Sequence, residues 1–252
     1  MKPILTEKID TTLWLTINRP KVKNPINFEI MDRLETLLDR IEKDETVRAL
    51  VLKGAGETFI SGGDLQEFHG IRTADEAQDM ARRMLSILAR IEKLPCWTIA
   101  CVNGPAYGGG CEIMLAFDFR IAAESATFGF TQGRFYLPPG WGGLTRLIER
   151  VGRSTALRWL AETAVIDTDS AIGHRLIDRV APDEELDAAT QQWVERLTRN
   201  DRNYIRTLKE GALRHSESRW KRIEEELKPF SYFWEDEKHH QRVQKFLERK
   251  QK

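Results

Sequence analysis

The most apolar run in the chain, Leu94 to Val102, leads through Asn103-Gly104-Pro105-Ala106-Tyr107 into Gly108-Gly109-Gly110-Cys111-Glu112 and then into Ile113-Met114-Leu115-Ala116-Phe117. A run without polar alternation reads as a strand buried on both faces of a parallel sheet, and the second apolar stretch fits a helix packed on that sheet. Strand, glycine turn and helix in succession leave unpaired backbone N–H groups at the helix start, where the helix dipole favours negative charge. Three consecutive glycines remove every Cβ from the turn, so another molecule can approach the backbone itself. Glu112 emerges one turn into the helix, beside whatever the amides hold. The turn lacks the Gly-Lys-Ser/Thr of a phosphate loop and the Gly-x-Gly-x-x-Gly spacing of a dinucleotide site. Taken alone, it is also what close packing of a helix on its strand demands, with Glu112 as a first-turn carboxylate.

The same device occurs roughly fifty residues earlier. Ala49-Leu50-Val51-Leu52 reads as a buried strand, Phe59-Ile60 as a second, and Ser61-Gly62-Gly63-Asp64 as a glycine turn opening a short helix at Leu65. Right-handed crossover units place successive loops on one edge of a sheet, so the two turns are predicted to face each other. One peptide N–H from each would then converge on a single oxygen. Such a pair makes an oxyanion hole, and losing one donor costs about 3 kcal/mol of transition-state stabilisation.

The remaining patterning extends an α/β reading. Ile4 to Lys8 and Thr12 to Ile17 suggest a hairpin about Asp10-Thr11. Phe28, Met31, Leu34, Leu37, Leu38 and Ile41 recur at helical spacing after Asn27, as do Ala77, Met80, Ala81, Met84, Leu85, Leu88 and Ile91 between Ala74 and Leu94. A methionine stripe of this kind is compatible with plain core or with an acyl pocket. Phe119 to Ala123 and Thr127 to Phe130 are further strands. Pro138-Pro139-Gly140-Trp141-Gly142-Gly143 is a rigid turn before a helix from Leu144 to Val151, and Ser154 to Ala161 and Thr168 to Arg175 read as helices begun by Ser or Thr. From Asp183 strand signals stop. Four charge-dense helices follow (184–199, 203–213, 218–227 and 235–249), carrying Trp193, Tyr204, Trp220, Phe230, Tyr232, Phe233 and Trp234. We therefore divide the chain into a body, 1–182, and a helical subdomain, 183–252, whose aromatic surface suggests cover by another subunit.

With 39 basic and 39 acidic residues the net charge is zero, which gives no electrostatic reason to expect nucleic acid as a partner. Cys96, Cys101 and Cys111 form no Cys-x-x-Cys and read as reduced core thiols. Charge interrupts the first eight residues before a signal-peptide core forms, and no run nears the roughly 18 apolar residues of a membrane span. A cytoplasmic protein without membrane association is expected. The histidines, His69, His174, His215, His239 and His240, show no metal spacing, so no metal is expected. Adjacent His239-His240 on a charged helix suggests solvent exposure, and His69, just beyond the Gly63 turn, is within sequence reach of an acyl pocket.

The ordered motifs Asn18-Arg19-Pro20, Val47 to Gly54, Phe59 to Leu65, Val102 to Glu112, Asp118 to Ala122, Pro139 to Gly143 and Thr145-Arg146-Leu147 resemble the crotonase superfamily, the enoyl-CoA hydratase/isomerase family. The resemblance runs through nearly the whole chain. It implies a crotonase-like spiral of β-β-α units with a C-terminal helical trimerisation region, assembled as homotrimers that often pair into hexamers. It also implies an acyl-CoA thioester substrate, no cofactor beyond its coenzyme A moiety, and a thioester carbonyl held by the N–H groups of Gly63 and Gly109. Asp64, Leu65 and Gln66 would supply backbone contacts to the thioester and adenine. Ser61, Tyr107 and Trp141 join the expected substrate-binding set, Ser61 as a contact and not a nucleophile, since no His or acid pattern supports one. Lys21 and Lys23 are candidates for the nucleotide phosphates, or simply a solvated basic loop.

One departure bears on the reaction. Family hydratases use two glutamates; Glu112 matches the first, and Gln132 occupies the position of the second. Glutamine orients a water or a carbonyl but exchanges no proton near neutral pH. Three readings follow. The first is hydration of a 2-enoyl-CoA with Glu112 as the only matched carboxylate and Tyr107 or Tyr232 as sources of a second proton. Asp118-Phe119-Arg120 and Trp141-Gly142-Gly143 also resemble the ethylmalonyl-CoA decarboxylase branch, and loss of CO₂ from a methylmalonyl- or ethylmalonyl-type ester generates the enolate with no base. The third reading is a catalytically silent acyl-CoA-binding protein.

Overall fold

The computed structural model describes residues 2–214 and 217–250; His215 lies outside the described residues. β1 (Ile4–Ile9) and β2 (Thr12–Ile17) form the expected antiparallel hairpin, turned by Asp10 at a φ of 52°. α1 (Phe28–Ile41) starts at Asn27, whose side chain accepts from the Ile30 N–H, and buries Ile30, Met31, Leu34, Leu38 and Ile41. β3 (Ala49–Gly54), the short α2 (Leu65–Phe68) and α3 (Ala74–Lys93) follow. Thr73 and Glu76 close a reciprocal capping box at the start of α3. Next come β4 (Trp97–Val102), β5 (Ala106–Tyr107), α4 (Gly109–Leu115), β6 (Phe119–Ala123) and β7 (Phe128–Gly129). They are followed by α5 (Gly143–Val151), α6 (Arg153–Ala161), β8 (Val165–Ile166), α7 (Thr168–Gly173) and β9 (Arg179–Ala181).

Six strands make the main sheet in the order β1-β2-β3-β4-β6-β9, parallel except for the hairpin pair. β3 and β4 are almost wholly buried, as their predominantly apolar sequences require, whereas β1 is an exposed edge. A smaller sheet, β5-β7-β8, lies beside it. The chain alternates between the two: β4 in the main sheet leads to β5 in the small one and then to α4, and β6 leads to β7 and then to α5. β3 makes the corresponding step through Ile60, which forms an isolated parallel bridge to Ala106 of β5. These repeats are the β-β-α units that the family resemblance implied, and they bring the turn after Ile60 against the turn after β5.

Several boundaries differ from the sequence reading. The apolar run from Leu94 becomes strand only at Trp97, after Pro95, which has no N–H to give a ladder. Phe59-Ile60 contributes a single bridge and not a strand. β8 and β9 carry too few residues to show alternation. α6 begins one residue earlier than expected, at Arg153 after Gly152, whereas α7 begins at Thr168 as expected, capped by Asp167, which accepts from the Ser170 N–H.

After β9 the chain is helical: α8 (Leu186–Leu197), α9 (Arg202–Arg214), α10 (Glu217–Glu225), α11 (Leu227–Glu235) and α12 (Glu237–Lys250). α8 packs on β4 and β6, α11 lies along α3, and α12 rests on α2 and on the 3-10 turn Gln132–Phe135. Much of the aromatic content is therefore covered by the chain's own body: Trp193, Phe230 and Trp234 are buried, and only Tyr204 and Tyr232 are broadly exposed. His239 and His240 are likewise buried, contrary to expectation, because the face of α12 that carries them is the face turned to α2 and the 3-10 turn. The His239 imidazole meets the Phe135 carbonyl at 2.8 Å, and burial pushes its pKa down to about 4.

Candidate active site

The two glycine turns meet backbone to backbone. The Tyr107 N–H donates to the Ile60 carbonyl at 3.0 Å, and a Cβ on Gly110 would lie 2.0 Å from that same oxygen. A Cβ on Gly62 would lie 3.4 Å from the Gly109 nitrogen. Glycine is required at 110 by this approach and at 62 by its φ of +109°, where a Cβ would also stand 3.2 Å from the Tyr107 carbonyl.

Each turn then aims one amide outward. Ile26 donates to the Gly62 carbonyl at 2.8 Å and accepts from the Asp64 N–H at 2.7 Å. Gly63, between those two, must point its own N–H away from Ile26, because successive peptides on an extended segment face opposite sides. Gly109 is the first residue of α4, where an N–H has no intrahelical acceptor. Gly108 turns the chain there with φ 51° and ψ −116°, a combination suited to glycine. Gly63 and Gly109 line one cavity together with Glu112, Gln132 and Trp141. The indole of Trp141 lies across Gly109 so closely that a Cβ on that glycine would stand 2.3 Å from the ring.

Glu112, one turn into α4, is buried, and its carboxylate is held by four N–H donors. Oε2 accepts from Trp141 N at 2.7 Å and Gly143 N at 2.9 Å; Oε1 accepts from Gln132 Nε2 at 3.1 Å and, weakly, from Gly140 N at 3.4 Å. Burial pushes its pKa up to about 7; the Trp141 amide and Gln132 oppose the rise, the Glu226 charge adds to it, and the Gly143 amide opposes it. Gln132 Oε1 is buried without a hydrogen-bond partner. The wall around these polar groups is apolar: Leu65, Phe68, Met80, Phe135, Leu137, Pro138, Phe230 and Trp234. Among the described residues no lysine or arginine lines it.

Of the other residues singled out from the sequence, Ser61, Leu65 and Trp141 line this cavity. Asp64 has a structural task. Its side chain accepts from the Gln66 and Glu67 amides at the start of α2 and pairs with Arg19 at 2.7 Å, fixing the Gly63 turn to the preceding loop. Gln66, Lys21 and Lys23 are exposed, and the Lys23 carbonyl accepts from the Ser61 N–H. Tyr107 and Tyr232 are corrections. The Tyr107 hydroxyl lies 3.2 Å from Thr127 Oγ1 and its ring packs on Gly129, while the Tyr232 side chain is 67% exposed. Neither lines the cavity, because β5 turns Tyr107 toward β7 and α11 turns Tyr232 outward. His69 faces Arg72 and His240 instead of the cavity.

Phe230 and Trp234 were legible only as tail aromatics. Their i, i+4 spacing marks one face of α11, but nothing local says that this face closes the cavity over Gly140, where a Cβ would stand 2.2 Å from the Phe230 ring. The amides of Gly140, Trp141 and Gly143 were likewise visible only as a rigid turn. Among the described residues no group of three or more His, Cys, Asp or Glu is arranged to hold a metal ion, and no helix is long and apolar enough to cross a membrane.

Comparison with known proteins agrees with this geometry. The family model described as enoyl-CoA hydratase/isomerase matches residues 7–252. The chain is 33% identical over 198 residues to a short-chain-enoyl-CoA hydratase of Clostridium acetobutylicum, covering 78% of this chain and 76% of that one. It is 30% identical over 201 residues to the ethylmalonyl-CoA decarboxylase of Bos taurus, covering 79% and 66%. The crystal structure of an enoyl-CoA hydratase from Bacillus anthracis superposes with a TM-score of 0.81 at 28% identity over 89% of this chain and 90% of that one. A buried glutamate on a glycine turn, a spiral of β-β-α units and a match through almost the full length converge on one conclusion: the chain belongs to the enoyl-CoA hydratase/isomerase family.

Proposed function

We propose that the protein hydrates a 2-enoyl-CoA thioester, with the Gly63 and Gly109 amides on the thioester oxygen, Glu112 as acid and base, and Gln132 orienting the water. The carrying observation is the pairing of Glu112 Oε1 with Gln132, whose own Oε1 is left without a partner. A water between them donates one hydrogen to each oxygen. Its oxygen adds to Cβ as Glu112 takes one proton, and the electron pair of the C=C bond moves to the thioester oxygen, where two amides stabilise it. The carboxyl then returns that proton to Cα. The net change is addition of one water, and one carboxyl serves both steps. A carboxyl poised near 7 suits both roles at neutral pH.

The coenzyme A moiety remains the only cofactor-like group in this reading, with exposed Lys21 and Lys23 as candidates for its phosphates, the Lys23 backbone being bonded to Ser61 of the Gly63 turn. Assembly as trimers or paired trimers is proposed with it, supported by exposed Tyr204 and Leu208 on α9.

Decarboxylation of a methylmalonyl- or ethylmalonyl-type ester is the second reading. The absence of lysine and arginine from the cavity wall favours it, because an unpaired malonyl carboxylate there is desolvated and released readily as CO₂. Neutral Glu112 would then protonate the enolate. Incubation with crotonyl-CoA and with methylmalonyl- or ethylmalonyl-CoA, followed by mass spectrometry, separates the possibilities. Hydration adds the mass of water to crotonyl-CoA. Unchanged crotonyl-CoA beside malonyl esters that have lost CO₂ overturns it, and binding of all three without mass change leaves a silent acyl-CoA-binding protein.

A further inference from the structure

The start of α5 holds two carboxylates, and only one of them is in the cavity. Glu112 takes the N–H groups of Trp141 and Gly143. Glu226, the residue immediately before α11, takes the next two: Oε2 accepts from Leu144 N at 3.1 Å and Oε1 from Thr145 N at 2.8 Å. Three amides of the α5 start and one from the turn just before it are therefore shared two and two between a side chain from the body and one from the C-terminal helices. Both carboxylates draw on the same positive helix end.

We propose that Glu226 is a positioning residue for Glu112, through which the docked C-terminal helices set the proton affinity of the site's only carboxylate. α11 begins at Leu227, and its Phe230 and Trp234 form part of the cavity wall, so one docking event closes the acyl pocket and delivers the Glu226 charge. Glu226 fixes the amides of α5 next to those that grip Glu112, and it disfavours a second negative charge on the same helix start. The directions of both carboxyl groups agree with the geometry. Burial is the largest cause of the rise at each, and the Glu226 charge adds to it at Glu112.

The charged groups facing this pair are few. Arg146 of α5 donates to the Trp141 carbonyl at 2.7 Å and pairs with Glu92 of α3; its charge works against the rise at Glu226. Arg219 of α10 joins Glu92 and Glu149, so Glu92 faces two guanidinium groups and leaves Glu226 the less compensated acid. From the turn after β7 the group facing Glu112 is uncharged Gln132, and on α4 its neighbour is the Cys111 thiol, kept protonated by burial.

The inference rests on Glu112 being the acid/base group, but its test needs no turnover. Carboxyl carbons of glutamate-labelled protein are titrated by NMR without substrate, the Glu112 and Glu226 signals being assigned by their loss in Glu112→Gln and Glu226→Gln. The Glu112 midpoint is expected to fall by about one pH unit in Glu226→Gln and to stay in place in Glu226→Asp, which keeps the charge. Linkage demands the reciprocal result: Glu112→Gln lowers the Glu226 midpoint by a similar amount, a measurement that survives if Glu226→Gln does not fold. In turnover, the acid limb of the pH profile shifts with the NMR midpoint while KM holds. A Glu112 midpoint unmoved in Glu226→Gln, or a Glu226 midpoint unmoved in Glu112→Gln, overturns the coupling, and a lowered melting temperature alone would mean that Glu226 only caps α5. If the midpoints move and the wild type turns over no CoA ester, the coupling stands and the catalytic reading falls.

Discussion

Gln132 Nε2 stands 3.1 Å from Glu112 Oε1, so a neutral amide donates to the one carboxylate that lines the cavity among the described residues. That contact does more than mark an absent acid. It uses the amide's donor end, turns its acceptor end free, and leaves Oε1 of Glu112 with one good partner and one weak one at Gly140. Oε2, held by two short backbone bonds, is the less available oxygen for proton exchange.

The pH dependence separates hydration from decarboxylation by its sign. Glu112 with a pKa of about 7 is ionised above that value and protonated below it. Hydration needs the base, so kcat/KM for crotonyl-CoA is expected to rise with pH through about 7 and then level. Decarboxylation needs the acid to protonate the enolate, so kcat for a malonyl ester would fall over the same interval. Rates in buffers of constant ionic strength from pH 5 to 9 (roughly two units either side of the midpoint) decide it.

Gln132→Glu places two carboxyl groups in the position of the present hydrogen bond. Like charges at that distance cannot both ionise, so the pair is expected to titrate in two macroscopic steps, one above the present midpoint. Hydration of crotonyl-CoA should increase at pH values where the pair holds a single proton, because a second group then exchanges protons with the substrate. A rate at or below wild type across the whole pH range would mean that position 132 is not where the missing acid acts.

Gly109→Ala drives a methyl into the Trp141 ring, at a distance of 2.3 Å before relaxation. The indole or the start of α4 must move, and with it the Gly109 amide proposed to hold the thioester oxygen. A fall in kcat of about 100-fold or more is expected, in the range seen when one oxyanion donor is lost. Pairing the change with Trp141→Leu should restore stability in urea unfolding, and any recovery of rate reports how far the amide itself was displaced.

Trp234→Ala opens the wall of the cavity that the proposed reading gives to the acyl group. The indole is buried, donates to the Ile71 carbonyl at 3.1 Å and belongs to the face of α11 that lies on α3. The loss of stability should be about 3 to 5 kcal/mol in denaturant unfolding. Among survivors of that loss, kcat/KM is expected to shift toward longer acyl chains. An unchanged chain-length preference would place the acyl group elsewhere along the wall.

Much of the fold was visible in one dimension because the local patterns and the tertiary layers agree. α1 and α3 were readable from 3.6-residue spacing and began where Asn27 and Thr73 cap them. β3 and β4 were readable because burial on both faces leaves runs dominated by apolar residues, with Lys53 at the end of one and the buried Thr98 in the other as the polar members. The two-residue strands β5, β7 and β8 carry no periodicity, and Ile60 joins the small sheet through one bridge only. His239 and His240 misled for a related reason: the charges around them describe the outer faces of α12, whereas the inner face is chosen by what it lands on.

The sequence by itself determined the two glycine turns, the glutamate that follows the second, and a neutral glutamine at 132, since each is a matter of which atoms are present. Only the tertiary structure decided what those atoms meet. The turn at residues 140–143 grips Glu112 through backbone amides, which every residue but proline possesses and which leave no mark in a sequence. Phe230, Trp234 and Glu226 reach the site from about a hundred residues away, because burying the apolar face of α11 against α3 releases more free energy than leaving it in water.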